Sequence, residues 1–182
     1  MFGKLELTNE AYAIAKISGV KLCEYYNHFY KTNYKCLMPC NVYGPNDNYD
    51  LENSHFIPAL IKKLHLCKTN KSKYLEIWGT GKPKREVLFV DDLANACVYF
   101  MNKKINGTII NIGTGKEYTI LEYARKISKI IKTNPKIKFN KAQNEGVYSK
   151  VLSVTKAKKY GWRYKTSFKE GIEITYNHFL QN

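Results

Sequence analysis

The chain has 182 residues, of which 44% are hydrophobic and 25% charged. This composition supplies a folded core and excludes wholesale disorder. Lys and Arg number 30 against 15 Asp and Glu, a formal net charge of +15. The excess admits three explanations: a nucleic-acid partner, a substrate that carries a diphosphate, or lysines used as solvated surface residues. Because the lysines are spread along the chain and no predicted helix groups them beside base-reading Arg or Asn, we expect no nucleic-acid partner.

The cysteines and the apolar segments limit the class of protein further. The five cysteines show neither a CxxC pair nor metal-ligand spacing, so we expect reduced thiols and no metal site. No apolar run approaches the roughly 18 residues of a membrane span, and the first residues do not resemble a signal peptide. We therefore expect a soluble, cytoplasmic protein without a membrane partner.

Hydrophobic spacing predicts strands and helices in alternation, which is typical of the α/β class. The first half is predicted to hold a helix over 10–30 with Asn9 as its N-cap, a strand over 34–38, a long loop over 41–54, a helix over 56–66 and a strand over 75–78. The second half is predicted to hold a strand over 86–90 running into a helix to about 103, a strand over 108–112, a helix after the N-cap Thr119, a strand over 136–139, and helices over 155–160 and 167–180.

Tyr12 and Lys16 lie four residues apart on the first predicted helix. Side chains at this spacing are neighbours on a helical face, and a nearby ammonium favours the phenolate and lowers a tyrosine pKa from about 10. A tyrosine tuned in this way can pass a proton to a carbonyl oxygen. The spacing alone is weak, because a core tyrosine beside a surface lysine gives the same pattern.

The glycines do not form a phosphate-binding loop. None of the eleven glycines belongs to a Gly-x-x-Gly-x-x-Gly fingerprint after a strand. The runs Gly-Thr-Gly-Lys at 79–82 and 113–116 lack a third glycine and lack the Walker spacing. We therefore expect neither run to cradle a phosphate.

A series of motifs in a fixed order gives the chain a family resemblance. They are Tyr-Ala-Ile-Ala-Lys at 12–16, Met-Pro-Cys-Asn-Val-Tyr-Gly-Pro at 38–45, Asn-Ser-His-Phe-Ile-Pro-Ala-Leu at 53–60, Trp-Gly-Thr-Gly-Lys-Pro-Lys-Arg-Glu at 78–86, Phe-Val-Asp-Asp-Leu-Ala at 89–94 and Asn-Ile-Gly-Thr-Gly at 111–115. Together they resemble the GDP-L-fucose synthases, which are extended short-chain dehydrogenase/reductases, and the resemblance covers essentially the whole chain. The third and fourth motifs are the most particular to that family.

The resemblance implies an activity and a catalytic set. The family epimerises GDP-4-keto-6-deoxy-D-mannose at C3 and C5 and reduces its C4 ketone with NADPH. By resemblance, Tyr12 is the proton donor at C4, and Lys16 holds the nicotinamide ribose and tunes Tyr12. His55 matches the histidine that acts as an acid in epimerisation, and a pKa near neutrality suits that work. The alternative for His55 is a loop histidine before a helix. We also expect Tyr12 and Lys16 to face a pocket that His55 reaches.

Further site residues follow from the same resemblance. Those expected near the nicotinamide end of NADP(H) are Pro39, Cys40, Asn41, Val42 and His55, together with Lys16. Those expected to bind the GDP-sugar are Lys63, Trp78, Arg85 and Glu145. The alternative for Trp78 is a core residue at the end of a strand. The alternative for Arg85 is a charged residue in a turn. Lys63 replaces the arginine common in bacterial members, and the segment 144–150 departs from the family pattern.

The resemblance also predicts the fold and the organisation of the chain. We expect an α/β fold, an incomplete Rossmann-type doubly wound parallel sheet whose N-terminal strands are absent, with a smaller α/β substrate-binding lobe. The remaining NAD(P)-binding part is expected over 1–48 and 88–113, and the lobe over 49–87 and 114–182. Met1 resembles an internal methionine, so we expect a missing N-terminal half, possibly supplied in trans, and a homodimer in the intact enzyme. The alternatives are another nucleotide-sugar epimerase or dehydratase, and a non-catalytic nucleotide-sugar-binding remnant.

Overall fold

The computed structural model describes residues 5, 7–142 and 146–182. A 3-10 turn at Leu7–Asn9 leads into the first helix. The helices are α1 Glu10–Phe29, α2 Phe56–Thr69, α3 Val90–Met101, α4 Ile120–Ile131, α5 Thr155–Lys159 and α6 Phe168–Gln181. The strands are β1 Cys36–Pro39, β2 Asn41–Tyr43, β3 Tyr74–Trp78, β4 Lys84–Arg85, β5 Val87–Phe89, β6 Ile109–Ile112, β7 Tyr118–Thr119, β8 Lys136–Asn140 and β9 Ser149–Lys150.

Most strand pairs are parallel, and the strands that pair are distant in sequence. β1 pairs with β6, β2 with β5, and β3 with β8, each in parallel. A small mixed sheet places β4 between β7, which is antiparallel to it, and β9, which is parallel. Parallel pairs require crossover connections, and helices supply them here. The alternation therefore confirms the α/β prediction, whereas the strands form several short sheets in the described residues.

Strand β5 lies between two apolar cores. All three of its residues are buried, and their alternation sends Val87 and Phe89 into one core and Leu88 into the other. The first core also receives α2, α4 and α6. The second receives α3, β6 and the segment that contains Ala157 and Trp162. Because it takes part in both cores, β5 connects them.

Helix α4 shows how a local sequence signal fixes an element. The Thr119 side chain accepts a hydrogen bond from the Glu122 backbone N–H at 3.1 Å, and the Thr119 backbone N–H donates to Glu122 Oε2 at 2.7 Å. This reciprocal pair is a capping box, which satisfies two donors that a helix start leaves unpaired. The prediction of Thr119 as the N-cap is confirmed.

Helix α1 has a large exposed apolar surface. Val20 is its buried residue, whereas Tyr12, Leu22, Tyr25 and Phe29 are all more than half exposed. Near its C-terminal end, Asn27 Oδ1 accepts from the Tyr34 backbone N–H at 2.7 Å, and Asn27 Nδ2 donates to the Tyr34 carbonyl at 2.8 Å. None of the helices that the structure describes is long and apolar enough to cross a membrane.

Candidate functional site

A cavity of about 200 Å³ lies where α2, β3 and β4 meet. Three of the residues predicted to bind substrate line it: Lys63 from α2, Trp78 from the end of β3 and Arg85 from β4. Leu60, Ile77 and Ile120 supply part of its apolar wall. Pockets that enclose a whole drug-sized ligand measure about 300–1,000 Å³. This cavity therefore accommodates one part of a larger ligand.

The alternation of β3 decides which of its side chains are exposed beside the cavity. Leu75 and Ile77 are buried, whereas Glu76 and Trp78 lie on the exposed side, and Trp78 is 43% exposed. The chain then turns sharply through Gly79 and Gly81, both with φ near +70°. A side chain at Gly81 would also press on the ring of Phe139, so both the conformation and the space favour glycine there.

Lys63 is half-buried and lies against the aromatic ring. Its Nζ is 5.0 Å from the Trp78 ring centroid and donates a hydrogen bond to the Glu76 carbonyl oxygen at 3.3 Å. Burial lowers the pKa of Lys63 below its ordinary value, and the charge of Glu76 opposes this effect only in part. A desolvated ammonium of this kind gains most from an anion placed beside it.

Arg85 is held between two backbone segments. Its Nη1 donates to the Lys84 carbonyl at 2.8 Å and to the Val147 carbonyl at 2.7 Å. Its own carbonyl accepts from the buried Tyr123 hydroxyl at 2.9 Å. Burial lowers the pKa of Arg85, while the charge of Glu117 raises it. The guanidinium therefore joins β4 to the segment that precedes β9 at the wall of the cavity.

Glu86, the next residue, is a buried carboxylate satisfied by backbone donors. It is 0% exposed, and its Oε1 accepts from the Gly115 N–H at 2.6 Å and its Oε2 from the Leu152 N–H at 2.7 Å. A Cβ on Gly113 would collide with the same carboxylate, which explains the glycine. The run at 113–116 thus directs its Gly115 N–H at a protein carboxylate, in agreement with the expectation that it is not a phosphate loop.

The predicted cofactor segment lies at the junction of β1 and β2. Pro39 ends β1, and the Cys40 N–H donates to the Ile112 carbonyl at 3.0 Å. Burial, together with the charge of Glu86, raises the pKa of the Cys40 thiol to about 12. That thiol is a neutral group at neutral pH. Asn41 and Val42 form the start of β2 and are partly exposed.

The predicted catalytic residues are only partly brought together. Lys16 Nζ lies 5.3 Å from the Tyr12 ring centroid, so the two share a helical face as expected. Tyr12 is 66% exposed, however, and Lys16 and His55 are also exposed. The expected common pocket is therefore not formed among the described residues, because the three side chains are exposed to solvent. Their catalytic roles stay predictions.

His55 occupies the N-cap position of α2 with an extended backbone. Its neighbours Ser54 and Phe56 line the cavity, whereas the imidazole is exposed. The remaining predicted substrate residue, Glu145, lies outside the described residues. Glu76, which lines the cavity, was missed by the sequence analysis. The signal for it was present, since a residue two positions from Trp78 on a strand shares its face.

The parallel βα arrangement defines a Rossmann-type α/β protein, and its cavity is lined by two cations and an indole. The chain belongs to the NAD dependent epimerase/dehydratase family, whose family model matches residues 3–113. A GDP-L-fucose synthase from Escherichia coli is 41% identical across an alignment of 189 positions, which covers 99% of this chain and 59% of that protein. A GDP-L-colitose synthase from Yersinia pseudotuberculosis is also 41% identical, over 98% of this chain and 58% of its own length.

Solved structures agree with these relatives. A GDP-L-fucose synthetase from Naegleria fowleri bound to NADP superposes with a TM-score of 0.89 at 26% identity, over 99% of this chain and 58% of that one. This similarity confirms the Rossmann-type fold prediction. The chain spans a little under three fifths of the length of the relatives named here.

Proposed function

We propose that this chain is the nucleotide-sugar-binding part of an NADPH-dependent enzyme that epimerises and reduces GDP-4-keto-6-deoxy-D-mannose to GDP-L-fucose. The observation that carries the proposal is that Lys63, Trp78 and Arg85 line one cavity. Two cations suit a diphosphate, and an exposed indole suits a base or a sugar ring. The relatives named for GDP-sugar synthesis support the same substrate class.

The catalytic part of the proposal rests on α1 and the start of α2. Tyr12 is proposed as the proton donor to the C4 oxygen, with Lys16 supplying a positive charge beside it, in line with the 5.3 Å approach of its Nζ to the Tyr12 ring. His55 is proposed as the acid of the epimerisation steps. Glu145 is proposed as a further substrate contact.

NADP(H) is the proposed cofactor, and Lys16, His55 and the segment 39–42 are its proposed contacts. Within the described residues these groups do not enclose a dinucleotide, because Tyr12 and Lys16 are exposed to solvent. We expect the 182-residue chain alone neither to bind NADPH tightly nor to turn over. A fluorescence titration with NADPH checks this, and tight binding or NADPH consumption would contradict it.

The proposed organisation assigns 1–48 and 88–113 to the cofactor-binding part and 49–87 and 114–182 to the substrate lobe. A longer form of the chain, or a second polypeptide, would supply the remaining cofactor-binding strands.

The exposed aromatic face of α1, with Tyr25 and Phe29 stacked at 5.9 Å, is proposed as the homodimer surface. Tyr25→Glu should then reduce the molar mass measured by light scattering, whereas Tyr148→Glu, outside α1, should not.

The substrate proposal is tested by calorimetric titration with GDP and by tryptophan fluorescence. The chain has two tryptophans: Trp78 lines the cavity and Trp162 is 3% exposed in the second core. GDP should change the fluorescence through Trp78. The change should therefore disappear in Trp78→Phe and persist in Trp162→Phe. Absence of GDP binding, or a response that follows Trp162, would contradict the proposal.

A second candidate is another nucleotide-sugar epimerase or dehydratase of the same family. The GDP-L-colitose synthase supports this candidate, because it and the E. coli GDP-L-fucose synthase are both 41% identical to this chain. A thermal-shift comparison of GDP-, UDP- and dTDP-sugars separates nucleotide classes. Binding of a GDP-sugar with no turnover, even after an N-terminal half is added, would favour a non-catalytic binding protein.

A further inference from the structure

The cavity contains a carboxylate beside its cations. Glu76 lines the same space as Lys63, Trp78 and Arg85, and its side chain lies on the exposed side of β3. Glu76 contributes to keeping Lys63 charged, yet the two do not form an ion pair within 4.0 Å among the described contacts. A carboxylate at a site for a diphosphate opposes anion binding, so its presence requires an explanation.

The carboxylate is oriented from the neighbouring strand. Asn140, on β8, donates from Nδ2 to Glu76 Oε1 at 3.4 Å, and the parallel register places Asn140 opposite Trp78. Among the described residues no hydrogen-bond donor contacts Glu76 Oε2. An ionised carboxylate accepts hydrogen bonds at both oxygens and donates none. The group therefore offers two acceptors, side by side, at the cavity.

The chemistry that matches this pair is one edge of a purine base. Guanine presents two adjacent donors, its ring N1–H and its exocyclic N2 amine, with a spacing that a carboxylate can accept in a bidentate manner. Uracil and thymine present a single ring N–H between two carbonyl oxygens, which a carboxylate would repel. Trp78 lies two residues along the same face of β3, about 7 Å away, and gives a ring on which a base can stack.

We infer that Glu76 selects guanine, by accepting hydrogen bonds from its N1–H and N2 amine while the base packs at Trp78, and that Asn140 positions the carboxylate. This inference rests on the proposed function, because it concerns the nucleotide part of the same ligand. The cations Lys63 and Arg85 then attract the diphosphate, and the carboxylate decides which base accompanies it.

An alternative role for Glu76 is purely electrostatic support of Lys63, and the two roles differ in whether the effect of removing Glu76 depends on the base. If Glu76 only supports Lys63, its removal changes the affinity for every nucleoside diphosphate alike. If Glu76 accepts from guanine, Glu76→Gln weakens GDP, because the amide turns a donor towards the two donors of the base. The same change leaves UDP unchanged or slightly tighter, since a negative charge near the diphosphate is gone.

Calorimetric titration of the 182-residue chain with GDP, inosine diphosphate and UDP tests the inference. Inosine diphosphate keeps the ring N–H of GDP and lacks the exocyclic amine. On the unaltered chain we expect inosine diphosphate to bind about tenfold more weakly than GDP, the lower range of a lost bidentate base contact. This comparison requires no substitution, so it does not depend on the folding of a variant.

In Glu76→Gln we expect GDP binding to weaken by about tenfold and its advantage over inosine diphosphate to disappear, with UDP binding unchanged or slightly tighter. Glu173→Gln, an exposed glutamate on α6 outside the cavity, is the matched control and should change nothing. Equal binding of GDP and inosine diphosphate, or equal effects of Glu76→Gln on GDP and UDP, would overturn the inference while leaving the proposed function standing. Failure of all three nucleotides to bind would overturn both.

Discussion

At the scale of single residues, the cavity combines groups whose ordinary properties are altered by burial. Lys63 is half-buried, stacked near Trp78 and hydrogen-bonded to a backbone carbonyl, and its pKa is lowered mainly by the loss of water. A bound diphosphate would restore the preference of Lys63 for its charged form. Proton binding to Lys63 and anion binding to the cavity are therefore linked.

The linkage predicts how GDP affinity depends on pH. Lys63 without ligand loses its proton at a pH below the ordinary lysine value of 10.5, whereas the diphosphate holds the proton on. GDP affinity should therefore be full at neutral pH and fall as the pH rises through the lowered pKa of the free cavity. In Lys63→Arg the guanidinium stays charged, so the alkaline loss should shrink to the part that comes from ionisation of the guanine N1–H of the ligand itself.

Calorimetric titrations at several pH values between about 7 and about 10 check the prediction, a range in which lysine and arginine differ. Lys62→Arg is the matched control, because Lys62 is adjacent in sequence and does not line the cavity. The same alkaline loss in Lys63→Arg as in the unaltered chain would show that another group is responsible.

At the scale of elements, some features depend on residues close in sequence, and others depend on contacts between distant segments. The capping box of α4 involves only Thr119 and Glu122, three residues apart. Thr119→Ala removes the acceptor for one backbone N–H at the helix start and should lower the free energy of unfolding by about 1 kcal/mol. Urea denaturation measures this loss. Thr133→Ala, beyond the end of α4, is the control, and an equal effect there would argue against the cap.

The same distinction explains what the sequence analysis could predict. The helix after the N-cap Thr119 and the strand over 75–78 were predicted from local patterns, and the structure confirms both. The loop predicted over 41–54 was partly wrong, because Asn41–Tyr43 forms β2. A three-residue strand has too few residues to show a period, and its pairing with β5 joins positions more than forty residues apart.

The residues of the candidate site also differ in whether the sequence predicts them. Lys63, Trp78 and Arg85 were predicted from motifs, because each motif lies within one short run of sequence. That Glu76 and Asn140 meet was not predictable from a motif, because their contact depends on the register between β3 and β8. The exposure of Tyr12 was also missed, since a helical spacing fixes which side chains are neighbours and says nothing about what covers them.

At the scale of the whole molecule, Glu86 holds together segments that are far apart in the chain. It lies between β4 and β5, at the boundary of the two cores, and accepts hydrogen bonds from the loop at 114–115 and from Leu152. Hydrogen bonds to a charged group contribute more than neutral ones, and an N–H left buried without an acceptor is costly. A single carboxylate thus fixes how three segments pack.

Glu86→Gln should therefore destabilise the chain by about 2–3 kcal/mol, because one of the two backbone donors at the carboxylate would face an amide NH₂. Guanidinium denaturation measures the change. Glu173→Gln, exposed on α6, should shift the unfolding free energy by less than about 0.5 kcal/mol. A loss in Glu86→Gln no larger than in this control would mean that the loops pack independently of the carboxylate.

The thiols of the chain differ in accessibility in a way that has a practical use. Cys97 is exposed on α3, whereas Cys67 is buried and Cys23, Cys36 and Cys40 are partly buried. Burial raises the pKa of Cys36 to about 11 and that of Cys40 to about 12, which keeps both in the unreactive form. Since a maleimide reacts with accessible thiolate, Cys97 should be modified first. A dye attached there lies on a helix that contributes no residue to the lining of the cavity, so labelling at Cys97 should leave GDP binding unchanged.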